Sequence, residues 1–156
     1  MEKILERAKR DVNQADNTQN LLEIEARATK GIYKYVATAL DFGDFTREHE
    51  GGDKTNDFLN HGNYLAYGLA ATGLWVLGIP HGFPVMHGKS RRGALVFDVA
   101  DLVKDALVLV TAFMSALRGD REQDFRDTMI DLFVTHKAMD LMINSLKSIC
   151  SEYGQS

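Results

Sequence analysis

The sequence is poor in residues that cross-link a fold or interrupt its helices. Its 156 residues include one cysteine and two prolines. The single cysteine, Cys150, excludes a disulfide within the chain and a zinc site built from several cysteines, and it fits a reducing, cytoplasmic location. The scarcity of proline permits long helices. The length suits one domain with one sizeable core, over residues 1–156.

The chain also lacks a basic excess, a signal segment and an uninterrupted apolar span. Its net charge is −4, which argues against a generic nucleic-acid coat, because such proteins usually carry a strong excess of lysine and arginine. Any DNA contact must therefore come from a local basic patch. The most apolar stretches, 64–79 and 94–118, are interrupted by glycine or by charged residues, so we predict buried helices and no membrane contact.

What the sequence does contain is helical periodicity. Apolar residues recur every three or four positions and predict helices at about 2–14, 19–40, 56–77, 94–118 and 121–152, with a break in the last near Thr135. Two irregular segments, 41–55 and 78–93, are rich in glycine. Neither a strand nor a hairpin signal stands out. The prediction is an all-α domain of about six helices.

One carboxylate of the second predicted helix breaks the helical pattern. The apolar face of this helix is formed by Leu21, Ala28, Ile32 and Val36, and the solvated face by Glu23, Arg27, Lys30 and Lys34. Glu25 falls in the middle of the apolar face. An inward carboxylate is costly unless it is paired, hydrogen-bonded or bound to a metal ion. A salt bridge to an arginine, or a partly exposed end of the apolar stripe, is the alternative explanation.

The helix predicted at 94–118 is apolar nearly all round, apart from one stripe. That stripe consists of Asp98, Asp101, Lys104 and Asp105. Three acids on one side of a buried helix could line a cleft, or the stripe could be the solvated side of the helix. His87 lies just before this helix in the glycine-rich segment. A loop histidine is a candidate ligand, but it is also often an ordinary surface residue.

A mixed nitrogen and oxygen site results if these groups converge. Glu25, His87 and Asp101 would supply one imidazole and two carboxylates, a ligand set that suits Mn²⁺ or Mg²⁺. Close to His87 lies a basic patch of Lys89, Arg91 and Arg92. It could hold a phosphate backbone, or it could be a solvated loop.

These residues resemble a known family. The run from His87 to Lys104 is similar to the signature of the CRISPR-associated DNA integrase Cas-one, in which a histidine precedes a basic segment and a helix that opens Leu-Val-aromatic-Asp-x-Ala-Asp. Residues 95–101 match that pattern. The stretch 22–33 resembles the family's glutamate helix, where a tyrosine follows the ligand by eight residues, as Tyr33 follows Glu25. Residues 56–62 resemble its asparagine helix, with His61 where tyrosine is more usual.

The resemblance covers about residues 1–150 and implies a metal-dependent DNA endonuclease and integrase. It implies Mn²⁺ or Mg²⁺ on Glu25, His87 and Asp101, supported by Asp98, with DNA phosphates on the basic patch. The implied reaction joins the 3′ hydroxyl of a captured DNA fragment (a prespacer) to a CRISPR repeat by transesterification. The implied partners are a second copy of the chain and Cas-two, which is fused to Cas-three in the subtype I-F branch that segment 61–87 most resembles.

One departure from the family pattern concerns domain content. Family members carry a β-rich domain before the first helix, and this sequence does not, so we expect the C-terminal helical catalytic domain alone. An alternative follows from that departure and from the acidic net charge. The chain could be a truncated, non-catalytic helical module that keeps the fold and binds DNA or a protein.

Overall fold

The fold consists of α-helices joined by short connections and one longer loop. The computed structural model describes residues 1–50, 52–83 and 93–153, with side chains as far as 151. Its α-helices are α1 (Glu2–Val12), α2 (Thr18–Ala39), α3 (Lys54–Val76), α4 (Ala94–Val103), α5 (Val110–Arg118), α6 (Glu122–Thr135) and α7 (Ala138–Tyr153). A π-helical segment, Lys104–Leu109, joins α4 to α5. No strand occurs in these three ranges, and the all-α prediction is confirmed.

The predicted helix limits agree with the structure to within a few residues. Because the segment at 94–118 is continuous through its π-helical part, the described chain contains six separate helical rods. Asn17 caps the N-terminus of α2, and its side chain accepts a hydrogen bond from the Asn20 amide at 2.9 Å. The predicted break near Thr135 lies between α6 and α7, where Lys137 adopts a positive φ of 51°. None of the described helices is long and apolar enough to cross a membrane.

Helix α3 occupies the centre of the fold. It contacts α4, the π segment, α5, α6 and α7, and its small residues Ala66 and Ala70 are fully buried. Gly62 permits the closest of these approaches, since a Cβ atom there would lie 2.4 Å from Cγ1 of Val108 in the π segment. Small residues on this helix therefore allow close packing with its neighbours.

Helix α2 packs against the π segment and α5, while α1 packs on α2. The buried face of α2 consists of Ile24, Ile32, Val36 and Ala37. All four residues predicted on its solvated face are exposed, whereas Leu21, Glu25 and Ala28 are half-buried. This arrangement leaves a groove between α2 and α3.

Candidate functional site

The groove has a volume of about 1560 Å³. One wall is α2 and the opposite wall is α3. The polar segment 43–49 closes one side, and α4 with the π segment closes another. Phe42 and Phe45 of the connecting loop pack edge-on against Phe113, with ring centroids 5.0 and 4.7 Å away. The loop is therefore anchored in the core and forms a defined wall.

Two of the three predicted metal ligands line this groove. Glu25 comes from α2 and Asp101 from α4, and both are half-buried. Thr29 lies one turn after Glu25, and Asp105 lies four residues after Asp101. Residues that are far apart in the sequence thus present two carboxylates from facing elements to one cavity.

The other predicted site residues are placed differently. Asp98 is half-buried on α4 and does not line the groove. His87, Lys89, Arg91 and Arg92 lie outside the described residues. Their assignment as ligand and phosphate contacts remains a prediction.

Lys104 anchors the Asp101 carboxylate at the groove wall. Its Nζ donates to Oδ1 of Asp101 at 2.5 Å and lies 5.3 Å from the centroid of the Tyr67 ring. Burial would lower the pKa of Lys104, but the charge and hydrogen bond of Asp101 outweigh burial, and the pKa lies above its usual value. Lys104 is therefore a fixed cation beside a candidate ligand.

Asp105 forms a second carboxylate position in the same wall. Its Oδ2 accepts a hydrogen bond from the Thr29 hydroxyl at 3.3 Å, which links the π segment to α2. Burial raises the pKa of Asp105, and the Lys104 charge and the Thr29 hydrogen bond only partly oppose it. Burial likewise raises the pKa of Tyr33, which also lines the groove.

The π segment explains how these groups share a wall. A π-helical turn holds more residues than an α-helical turn, and such turns occur often at functional sites. Lys104 and Asp105 open the segment on the groove side, while Val108 and Leu109 are almost completely buried. The wider turn thus changes which residues point inward without breaking the rod at 94–118.

Asn56 and Arg47 hold the loop wall in place. Asn56 is 2% exposed. Its Oδ1 accepts from the Glu48 amide at 2.9 Å and from Nη1 of Arg47 at 3.1 Å, and its Nδ2 donates to the Thr46 carbonyl at 3.1 Å. Nη2 of Arg47 also donates to Oδ1 of Asn60 at 2.6 Å. Side chains of α3 therefore fix the loop beside the groove.

The resemblance at 56–62 pointed to Asn56, but the polar stripe of α3 to which Asn56 belongs was not predicted. The stripe consists of Asn56, Asn60, Asn63, Tyr64 and Tyr67. Their spacing of three or four residues on an otherwise apolar helix was an available signal. No comparable signal pointed to Arg47, because its partners are set by how the loop folds onto α3.

Replacing Asn56 with alanine tests the role of the loop wall. The Glu48 amide and the Thr46 carbonyl would lose their bonds to Asn56, so we expect the free energy of unfolding to fall by about 2 kcal/mol or more. Urea unfolding measures this change, and hydrogen exchange should show faster exchange of the Glu48 amide. Asn63→Ala is the matched control, because no described hydrogen bond joins Asn63 to the loop. Equal stability of the two variants would contradict this role.

The chain matches the family described as CRISPR associated protein Cas1 over residues 1–148. It belongs to the Cas1 family. Two curated relatives bear the name CRISPR-associated endonuclease Cas1. The protein from Pseudomonas aeruginosa (strain UCBPP-PA14) is 55% identical over 147 residues, which is 93% of this chain and 45% of that protein. The protein from Pectobacterium atrosepticum is 49% identical, over 99% of this chain and 48% of that protein.

The Cas1 fold is also found by structural comparison. A crystal structure of a TtCas1–DNA complex superposes with a TM-score of 0.72 and covers 94% of this chain and 58% of that one. The sequence identity is 17%, so this likeness concerns the fold. The chain spans about half the length of the curated Cas1 relatives it matches.

The described groove residues fit a divalent cation in the chemistry of their donors. Carboxylate oxygens are the ligands that Mg²⁺ and Mn²⁺ prefer, and Glu25 and Asp101 supply them from two walls of one groove. The described residues contain no group of three or more histidine, cysteine, aspartate or glutamate side chains that could hold a metal ion. A third ligand would have to come from elsewhere, and His87 is the predicted one.

Proposed function

We propose that this chain is the helical catalytic domain (residues 1–156) of a metal-dependent DNA endonuclease and integrase that acts in CRISPR spacer acquisition. The observation that carries the proposal is that Glu25 and Asp101 both line one groove. Membership of the Cas1 family supports it. So does the name endonuclease borne by two relatives about half identical in sequence.

Glu25, His87 and Asp101 would hold Mn²⁺ or Mg²⁺, with Asp98 supporting them from the same helix as Asp101. Such an ion, when bound, polarises a phosphate and stabilises negative charge on a leaving oxygen. Lys104 keeps the Asp101 carboxylate in position and adds a positive charge to the same wall. The half-buried carboxylates are also partly shielded from water, which strengthens their attraction for a cation.

The proposed reaction is a transesterification of DNA. The 3′ hydroxyl of a prespacer forms a new bond to a phosphorus atom of the CRISPR repeat as the bond from that phosphorus to the repeat's own 3′ oxygen breaks. The attacking hydroxyl gives up its proton and the departing oxygen gains one, so the number of phosphodiester bonds is unchanged. Lys89, Arg91 and Arg92 would bind backbone phosphates.

The proposed partners are those of the whole family protein. They are DNA, a second copy of the chain, and Cas-two, fused to Cas-three in subtype I-F. A cytoplasmic location is part of the same proposal. Because the chain spans about half of its relatives, each of these assignments concerns an assembly larger than the described fold.

Calorimetric titration of manganese tests the site directly. We expect about one ion per chain for the wild type, and loss of binding in Glu25→Ala, His87→Ala and Asp101→Ala. Circular dichroism checks that each variant stays folded. Loss in all three variants would mean that residues remote in sequence share one ion, whereas unchanged binding in any folded variant would remove that residue from the ligand set.

A strand-transfer assay on branched DNA then distinguishes the proposed enzyme from the alternative, a non-catalytic binding module. The wild type is expected to join DNA strands in a manganese-dependent reaction. DNA binding without turnover would instead favour the non-catalytic module, with which the acidic net charge agrees.

A further inference from the structure

We propose that Asp105 is a positioning residue, which holds α2 against the rod at 94–118 through its hydrogen bond with the Thr29 hydroxyl. The bond fixes the turn of α2 that carries Glu25 relative to the turn that carries Asp101, and the π segment is what directs Asp105 towards α2. The inference rests on the proposed function, because it assigns a role beside the proposed ligands. It is also tested by a distance within the protein that needs neither metal nor DNA.

The hydrogen bond between Thr29 and Asp105 joins the two elements that carry the proposed ligands. Oγ1 of Thr29 donates to Oδ2 of Asp105 at 3.3 Å, across 76 residues of sequence. Thr29 follows Glu25 by four residues, and Asp105 follows Asp101 by four residues. Residues four apart lie on the same face of a helix. The bond therefore lies about one turn beyond each proposed ligand and opposes sliding of α2 along the rod.

The surroundings of Asp105 suit it to hold Thr29 and not to bind the ion. The described residues contain no group of three or more acidic, histidine or cysteine side chains that could hold a metal ion, so Asp105 does not complete a site with Glu25 and Asp101. A half-buried carboxylate is costly unless it is hydrogen-bonded or paired. The Thr29 hydroxyl and the neighbouring Lys104 charge offset that cost, and they favour a carboxylate that stays in place.

The buried stripe of the rod shows that the π segment holds one residue more than the core requires. The stripe consists of Leu95, Val99, Val103, Val108 and Ala112, which are all almost completely buried. Every step along it is four residues except the step from Val103 to Val108, which is five and matches the repeat of a π turn. With one residue fewer, the same side chains would follow one another at four-residue steps along an unbroken α-helix.

The extra residue lies in the turn that faces both walls of the groove. Asp105 of this turn bonds to Thr29 of α2, while Val108 packs against Gly62 of α3. A return to α-helical geometry would keep the buried stripe but would turn Asp105 about the axis of the rod. π-helical turns inside α-helices occur often at functional sites. The extra residue thus serves the direction of Asp105 and not the packing of the core.

The first measurement is the distance between a spin label on α2 and one on α4, made in chelator. Cysteines for the labels replace Glu23 and Leu102, which are both exposed. The single native cysteine, Cys150, is replaced with serine. This labelled protein is expected to show a narrow distribution of distances, because the hydrogen bond across the two elements limits their relative motion.

The same distance is then measured in variants that remove the hydrogen bond. We expect Thr29→Val and Asp105→Ala to broaden the distribution. Thr38→Val is the matched control on the same helix, because the Thr38 hydroxyl donates to the Lys34 carbonyl of α2 itself at 2.8 Å. It should leave the distribution as narrow as in the parent protein.

Manganese titration separates positioning from a purely structural role. We expect Thr29→Val and Asp105→Ala to bind Mn²⁺ about tenfold more weakly, and the double variant to bind no more weakly than either single variant. Thr29→Ser keeps the hydroxyl and Asp105→Asn keeps an acceptor oxygen, so both should bind near the wild-type affinity. Deletion of Ala106, which is exposed and does not line the groove, should leave the rod helical and weaken binding about tenfold as well.

Several outcomes would overturn the proposal. These are a narrow distribution in both Thr29→Val and Asp105→Ala, and wild-type manganese affinity in both. A loss in Asp105→Asn as large as in Asp105→Ala would show that the charge of Asp105, and not its hydrogen bond, controls binding. Deletion of Ala106 without effect on manganese affinity would remove the π segment from the proposal.

Two further results have a defined meaning. If Asp105→Ala unfolds in circular dichroism, Thr29→Val decides the comparison, because valine keeps the shape of the side chain and lacks only the hydroxyl. A wild type that binds no manganese, with a distribution that broadens in Thr29→Val, would support the link between α2 and the rod while contradicting the proposed function.

Discussion

Replacing Glu25 with alanine is expected to reduce manganese-dependent cleavage and strand transfer by about a hundredfold or more while the fold persists. The physical reason is the loss of one of two groove carboxylates that would hold the ion. Glu25 is half-buried in the groove, whereas Glu23, two residues away on the same helix, is exposed. Glu23→Ala removes the same charge from the same helix and is the matched control.

The measurement is the rate of DNA strand joining at several manganese concentrations, with urea unfolding of each variant. Glu23→Ala should act near the wild-type rate. If the residual activity of Glu25→Ala rises at high manganese concentration, the substitution has weakened metal binding. Full activity in a folded Glu25→Ala protein would remove Glu25 from the site. Equal losses in both variants would show that the overall charge of α2, and not ligation, controls the rate.

Replacing Gly62 with alanine is expected to destabilise the protein by about 1–3 kcal/mol. The added Cβ would lie 2.4 Å from Cγ1 of Val108 and 3.1 Å from Cζ of Phe125, so α3 would have to move away from the π segment. Alanine would also favour the helix by up to about 1 kcal/mol. A net decrease in the free energy of unfolding must therefore come from the steric clash. Because the π segment carries Lys104 and Asp105, we also expect weaker manganese binding.

Gly68 on the same helix gives the matched control. No atom lies within 4 Å of a Cβ added there, and the residue is exposed. Gly68→Ala should therefore raise the free energy of unfolding by about 0.5–1 kcal/mol. Urea unfolding of the two variants measures both effects. Stabilisation in both would show that the contact between α3 and Val108 adapts without cost.

The sequence by itself determined the helices and which side of α2 faces water. Apolar periodicity predicted the helical segments. The same periodicity separated half-buried Glu25 from exposed Glu23, because the face of a helix on which a residue lies follows from local geometry. The family signature at 87–104 could also be found from the sequence alone, since its residues are contiguous. The family match confirmed that resemblance, whereas the roles of Glu25, His87 and Asp101 remain predictions.

Only the tertiary structure decided which side chains share the groove. Sequence spacing placed Asp98 and Asp101 on one stripe, but only Asp101 lines the cavity, because the position of the facing helix decides which part of a stripe is covered. The hydrogen bond from Thr29 to Asp105 and the anchoring of Arg47 by Asn56 and Asn60 depend on contacts across the fold. Such contacts join residues from different segments of the chain, and periodicity along one helix carries no information about them.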